Sequence, residues 1–259
     1  MTAPILWTDG VSFHWGALTV ADNVSLALRP GERRALIGPN GAGKTTLINL
    51  LAGALPVGAG RIHLDGKDVS RLGQAARTRK GVVRTFQISQ LFKTLSVVEN
   101  VIMALAERRR FGWQVWRPLA GRQALTDEAR HLLSEFALTE NADHIVGQLP
   151  YGRQRLLDLV LALALNPKVL LLDEPAAGVS STDNHMIIDA LERLDPDVAI
   201  LMVEHDMDLV FRFAQQITVM VRGRILVEGP PQQIANDPAV RAVYLGDAEP
   251  TTGSAGLTA

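Results

Sequence analysis

An α/β fold around a mainly parallel core sheet is what this 259-residue chain predicts, on three observations. Two continuous apolar runs, Val169 to Leu172 and Val198 to Val203, have the composition of strands buried on both faces, as a parallel sheet requires. A helix expected around Thr182 to Leu194 separates them, and strand, helix, strand in that order is a βαβ unit. A further strand, Arg33 to Ile37, runs into the glycine-rich segment Gly38 to Gly43, after which a helix is expected from Thr45 to about Leu55.

The other elements follow in chain order. Alternating apolar residues in Val24 to Leu28 suggest a half-buried strand, Gly60 to Gly66 a short strand ending in a turn, and Val82 to Phe86 a buried strand with Gln87 at its end. From Ser96 the pattern turns helical. Ser96-Val97-Val98-Glu99 has the form of a capping box, and Thr126 is placed to cap a second helix reaching Leu138. Between them Glu107 to Arg117 is basic and aromatic, and reads either as a solvated loop anchored by Trp113 and Trp116 or as a contact with a partner or lipid head groups. Gln216 to Val221 and Arg224 to Val227, joined through Arg222-Gly223, form a terminal hairpin, and the Thr-, Gly- and Ala-rich tail is expected to be disordered.

Composition narrows the function. Hydrophobic residues make up 47% and charged residues 20% at a net charge of −1, which argues against a disordered chain and against a general nucleic-acid-binding polyelectrolyte. With no cysteine, disulfides, thiol catalysis and thiolate zinc sites are excluded. The N-terminus lacks the basic and apolar pattern of a secretory signal. The most apolar stretch, Leu156 to Leu165, is interrupted by Asp158 and far shorter than the roughly 20 residues that span a bilayer, so a membrane role would be peripheral.

Gly38-Pro39-Asn40-Gly41-Ala42-Gly43-Lys44-Thr45 matches G-x-x-x-x-G-K-[ST] between a predicted strand and a predicted helix, which is the context that motif requires. Its glycines let successive backbone N–H groups converge on a triphosphate at a helix N-terminus; Lys44 reaches the β- and γ-phosphates and the Thr45 hydroxyl ligates Mg²⁺, with Thr46 following in the same turn. The strand Val169 to Leu172 ends in Asp173-Glu174, two carboxylates at the edge where open α/β sheets bind ligands. Asp173 would hold Mg²⁺ and Glu174 would act as general base toward the attacking water.

With these motifs in this order, the chain resembles the ATPase subunits of ABC transporters over about residues 3 to 246. The resemblance implies a P-loop NTPase with a small N-terminal antiparallel β subdomain and an inserted helical subdomain. Residues 1–246 would form one ATPase domain: 1–87 and 166–230 the nucleotide-binding core, 88–165 the helical subdomain, 231–246 a C-terminal helical segment, and 247–259 the tail. It assigns Gln87 to the Q-loop, which senses Mg²⁺ and the attacking water near the membrane partner, and Ala177-Gly178-Val179-Ser180 to the D-loop. His205 takes the place of the histidine that contacts the γ-phosphate, and Trp15 that of the aromatic stacked on adenine. Leu149-Pro150-Tyr151-Gly152-Arg153 stands where the family has its signature, at the start of a helix that reaches the ATP bound by a second ATPase subunit.

Three positions depart from the pattern. Pro150 replaces a serine whose hydroxyl bonds the γ-phosphate, Arg153 replaces a glutamine, and Leu161 an arginine usual in the same helix. Proline suits the first helical position, and the Arg153 guanidinium is a candidate to offset the lost hydroxyl. Because a homodimer would carry Pro150 in both sites, these departures favour a heterodimer.

Asp173-Glu174-Pro175-Ala176-Ala177-Gly178, Glu204-His205-Asp206-Met207 and Asn236-Asp237-Pro238 with Tyr244-Leu245-Gly246 resemble the branched-chain amino-acid importers, whose relatives carry urea, amides or aromatic acids. The resemblance thus implies an ATP- and Mg²⁺-dependent motor, peripheral on the cytoplasmic face of the membrane, acting on permease subunits and indirectly with an extracytoplasmic solute-binding protein, and not on nucleic acid. The alternatives are a weakly hydrolysing regulatory subunit and a soluble, non-transport ATPase of the same family.

Overall fold

The computed structural model describes residues 2–85, 91–109, 120–179 and 181–245. In chain order these form β1 (Leu6–Trp15), β2 (Leu18–Val24), β3 (Ala27–Leu28), β4 (Arg33–Ile37), α1 (Lys44–Ala52), β5 (Ala59–Leu64), β6 (Lys67–Asp68), α2 (Gln74–Thr78) and β7 (Val82–Arg84). Next come α3 (Val97–Arg108), α4 (Ala120–Glu135) and α5 (Tyr151–Ala164), followed by β8 (Val169–Asp173), α6 (Ser181–Glu192), β9 (Ala199–Val203) and α7 (Met207–Phe213). The chain closes with β10 (Gln216–Val221), β11 (Arg224–Gly229), α8 (Pro231–Asn236) and α9 (Pro238–Leu245).

The core sheet runs β11-β10-β4-β9-β8-β7; the five strands from β10 to β7 are parallel, and β11 returns antiparallel from a hairpin turn at Arg222-Gly223, both at positive φ. Side chains of these strands alternate between two cores. On one face Ile37, Val83, Leu170, Leu172, Ile200, Met202 and Val219 pack against apolar residues of α3 to α8. On the other, Leu36, Val82, Leu171, Leu201 and Met220 pack with Leu47, Ile48, Leu50 and Leu51 of α1 and with an antiparallel sheet of β2, β1, β5, β6 and β3. The continuous apolar runs of β8 and β9 are therefore the record of strands covered on both sides.

Several expected boundaries move, for local reasons. Val24 to Leu28 is not one strand: Val24 ends β2 opposite Val11, while Leu28 pairs with Leu6 in β3. The long β1 thus has two partners, and the hydroxyl of Thr8 fills the break by taking the Leu26 N–H and donating to the Val24 carbonyl. Helix α1 stops at Ala52 because Gly53 turns left-handed, at φ 78°. Thr126 lies inside α4 rather than at its cap, since the buried stripe Leu125, Ala129, Leu133 continues through it. Ser96 does cap α3, with the reciprocal Glu99 bonds of a capping box. Phe86, Gln87, most of the basic and aromatic segment, Ser180 and the tail lie outside the described residues.

Candidate functional site

The carboxyl ends of β4, β9 and β8 lie side by side, and the loops that leave them carry the predicted chemistry. The Gly38–Gly43 loop leaves β4 under tight constraint. A side chain at Gly43, φ 100°, would bring Cβ within 2.3 Å of the Val20 carbonyl oxygen, and one at Gly38 within 2.0 Å of the Met220 carbonyl oxygen. The loop is thus clamped between the β1–β2 hairpin and β10, and the Gly223 N–H donates to the Ala42 carbonyl at 2.9 Å. Only glycine fits these approaches, and the loop they shape leads directly into α1.

Lys44, the first residue of α1, folds back so that its buried Nζ donates to the Gly38 carbonyl at 2.8 Å and the Pro39 carbonyl at 3.0 Å. Burial lowers its pKa, opposed by the negative charges of Glu174 and Asp173. Thr45 follows, its hydroxyl 3.4 Å from Asp173 Oδ1. Asp173 ends β8 fully buried; burial pushes its carboxyl up, and the guanidinium of Arg84, 3.0 Å from Oδ2, pulls it back.

Glu174, next along, turns into the left-handed region at φ 51° while its N–H still bonds the Val203 carbonyl across to β9. That turn points its carboxylate over the sheet edge, where Oε1 is 2.9 Å from Nε2 of His205. A carboxylate only accepts, so Nε2 carries the proton in this pair. Lys44, Thr45, Asp173, Glu174 and His205 thus come together from three strand ends. Gly41 and Asn40 stay on the outer side of the loop, Thr46 is half-buried in the first turn of α1, and Trp15 stands 57% exposed at the hairpin tip, edge-on to Phe13. Gln87 falls outside the described residues.

The signature residues go elsewhere. Leu149 is buried, Pro150 caps α5 one position earlier than expected, with its carbonyl accepting the Gln154 N–H, and Gly152 is buried in the first turn. The Tyr151 ring lies against Gly178 and its hydroxyl donates to the Ala177 carbonyl at 3.4 Å. Arg153 donates from Nη1 to the Ala137 carbonyl at 2.7 Å. Arg155, two positions along, donates to the Glu174 carbonyl at 3.3 Å, tying the signature helix to the backbone of the proposed base.

Sequence reasoning missed the residues that hold this cluster in place. Buried Glu204 accepts the Ala176 N–H at 3.1 Å and the His205 N–H at 3.0 Å, and so joins the loop after β8 to the loop after β9. Burial raises its pKa, with the Ala176, His205 and Asp206 N–H groups opposing. Arg84 and Asn49 form a second support around Asp173 and Thr45. The signals for these were positional: Glu204 stands beside His205, Arg84 ends a short strand, and Asn49 lies one turn after Thr45 in α1.

The pattern for ABC transporters matches residues 21–177, and that for the C-terminal part of branched-chain amino acid ATP-binding cassette transporters matches 224–250. The chain is 38% identical over 258 residues to the high-affinity branched-chain amino acid transport ATP-binding protein BraF of Pseudomonas aeruginosa, covering 96% of this chain and all of that one. It is 36% identical over 255 residues to the corresponding protein LivG of Escherichia coli, with 96% and 100% covered. Among solved structures, the ADP conformation of an ATP-binding cassette of an ABC transporter superposes with a TM-score of 0.83 at 30% identity, over 95% of this chain and all of that one.

Proposed function

The chain belongs to the ABC transporter family, and from that premise we propose that it binds MgATP against a second ATPase subunit, hydrolyses it, and powers uptake of a small solute through separate permease subunits. Branched-chain amino acids are the first solute class to test, because the relatives named for that transport align with the chain end to end. The observation that carries the reading is the convergence of Lys44, Thr45, Asp173, Glu174 and His205 from three adjacent strand ends.

In this reading the phosphate loop and Lys44 take the β- and γ-phosphates, Lys44 exchanging its two carbonyl partners for phosphate oxygens. Trp15 offers an exposed face for adenine. Glu174 takes the proton of the attacking water, and His205, now bonded to Glu174, is placed to hold that carboxylate and reach the γ-phosphate. Among the described residues no group of three or more His, Asp or Glu side chains is gathered to hold a metal, whereas the Thr45 hydroxyl and Asp173 carboxylate are hard oxygen donors side by side. That fits Mg²⁺, which takes few protein ligands and completes its shell with phosphates and water, and which when bound neutralises charge developing on the phosphates. Gln87 is assigned to the same ion by the resemblance.

Among the described residues no helix is long and apolar enough to cross a membrane. In this reading the permease contact is peripheral, on the cytoplasmic face. A groove between the end of β7 and α3 suits it: Phe92 is 53% and Met103 45% exposed there, beside Thr85 and Leu161. An extracytoplasmic binding protein would supply the solute. The pairing we favour is a heterodimer, in which Lys44 to Glu174 face an intact signature of a different subunit. A second reading, a weakly hydrolysing regulatory subunit, draws support from Pro150, which brings no hydroxyl to the start of α5.

The test is MgATP hydrolysis by the purified chain over a range of concentrations, with Glu174→Gln as control. A rate rising more steeply than linearly and lost in the control supports a self-competent motor. No rate above the control, alone or with a co-expressed ATPase subunit, would sink it.

A further inference from the structure

We propose that Arg84 is a positioning residue for the Mg²⁺ site: its guanidinium grips the outer oxygen of Asp173 and so turns the inner oxygen toward Thr45. The inference rests on the reading of Thr45 and Asp173 as the metal's protein ligands. Arg84 ends β7, next to β8, and its side chain is 8% exposed against 1% for that of Asp173. One arm, Nη2, donates to Asp173 Oδ2 at 3.0 Å, while Oδ1 faces the Thr45 hydroxyl at 3.4 Å. The other arm, Nη1, bonds Asn49 Oδ1 on α1, and Asn49 Nδ2 in turn donates to the Thr45 carbonyl at 2.8 Å.

The four residues therefore close a ring that links β7, β8 and α1 around the two hard oxygens. A planar fork with donors on both arms spans a carboxylate and an amide at once, which a point-charge ammonium does not. Partners that orient metal ligands from behind are worth about 10- to 100-fold in metal affinity.

The test uses the full chain carrying Glu174→Gln, so that nucleotide persists, and compares it with the same chain carrying Arg84→Gln, Arg84→Lys or Asn49→Ala. Two quantities are read: affinity for a fluorescent ATP analogue in EDTA, and affinity of the nucleotide complex for Mn²⁺ by electron paramagnetic resonance. Arg84→Gln should leave the EDTA affinity within about twofold and weaken Mn²⁺ by about tenfold or more. Arg84→Lys, which restores charge without the fork, should recover only part of that loss, and Asn49→Ala should weaken Mn²⁺ by less than Arg84→Gln. Unchanged Mn²⁺ affinity in Arg84→Gln, an equal loss in EDTA, or full rescue by lysine would overturn the proposal. If the parent chain binds nucleotide but no nucleotide-dependent Mn²⁺, the reading of the site itself fails, and this inference with it.

Discussion

Glu204 shows how much of this site depends on a residue that touches no phosphate. Its buried carboxylate accepts N–H groups from Ala176 and His205, so two loops that leave different strands are held by one side chain. Glutamine has nearly the same shape but presents an NH₂ to one of those N–H groups, which leaves a buried donor facing a donor. The loops then part by a fraction of an ångström at Glu174 and His205, where a shift of about 1 Å can cost on the order of a hundredfold in rate. Glu204→Gln is expected to lower kcat for MgATP hydrolysis by about tenfold or more while leaving KM for ATP within about twofold. Steady-state kinetics on the assembled, active ATPase checks this, and a matching rise in KM would place Glu204 in nucleotide binding instead.

At the scale of elements, α1 is held at both ends: by the glycine loop at its start and by Arg77 at its finish. The fully buried Arg77 guanidinium donates to the carbonyls of Leu50 and Leu51 in the last turn and to those of Leu72 and Ser70 beyond it. A cation at a helix C-terminus meets the negative end of the dipole and satisfies carbonyls that lack intrahelical partners. Arg77→Met removes these bonds and should cost at least about 3 kcal/mol, or roughly 6 to 12 °C in melting temperature for a chain of this size, measured by differential scanning calorimetry. The α3 groove supports a different prediction. Met103→Glu puts a charge on its exposed wall, so ATP hydrolysis without the permease should stay within about twofold while assembly with permease subunits, scored by co-purification, is lost.

The elements also show what could be read in advance. Lys44, Thr45, Asp173, Glu174 and His205 were legible because each is tied to a short contiguous pattern at a strand end. The ring and the clamp were not, because they join residues far apart in sequence: Arg84 to Asp173 across 89 positions, Arg84 to Asn49 across 35, Ala176 to Glu204 across 28. Boundaries failed for the same reason. Thr126 is a good cap by type, but the stripe Leu125, Ala129, Leu133 must stay buried against its neighbours, and that packing carries the helix through it. Val24 to Leu28 alternates like one strand, yet β1 is long enough to pair its two halves in different registers.

At the scale of the whole molecule, Pro150 is where, in the proposed ATP sandwich between two subunits, one chain's sequence bears on two ATP sites. It caps α5 without a side-chain bond, so in that sandwich the start of this helix would offer a partner's phosphates backbone N–H groups and the helix dipole but no hydroxyl at position 150. A hydroxyl bonded to a charged phosphate contributes roughly 1.5 to 3 kcal/mol, and in a symmetric sandwich it acts twice. Two such bonds amount to about a hundredfold or more in dimer dissociation constant. The chain carrying Glu174→Gln is therefore expected to sediment as a monomer in MgATP, and Pro150→Ser in that background to form an ATP-dependent dimer at concentrations at least about a hundredfold lower than the parent needs. Sedimentation equilibrium with and without MgATP separates the cases. A parent that already dimerises as readily as the Pro150→Ser chain would show position 150 to be indifferent, and would return the homodimer to first place over the heterodimer favoured here.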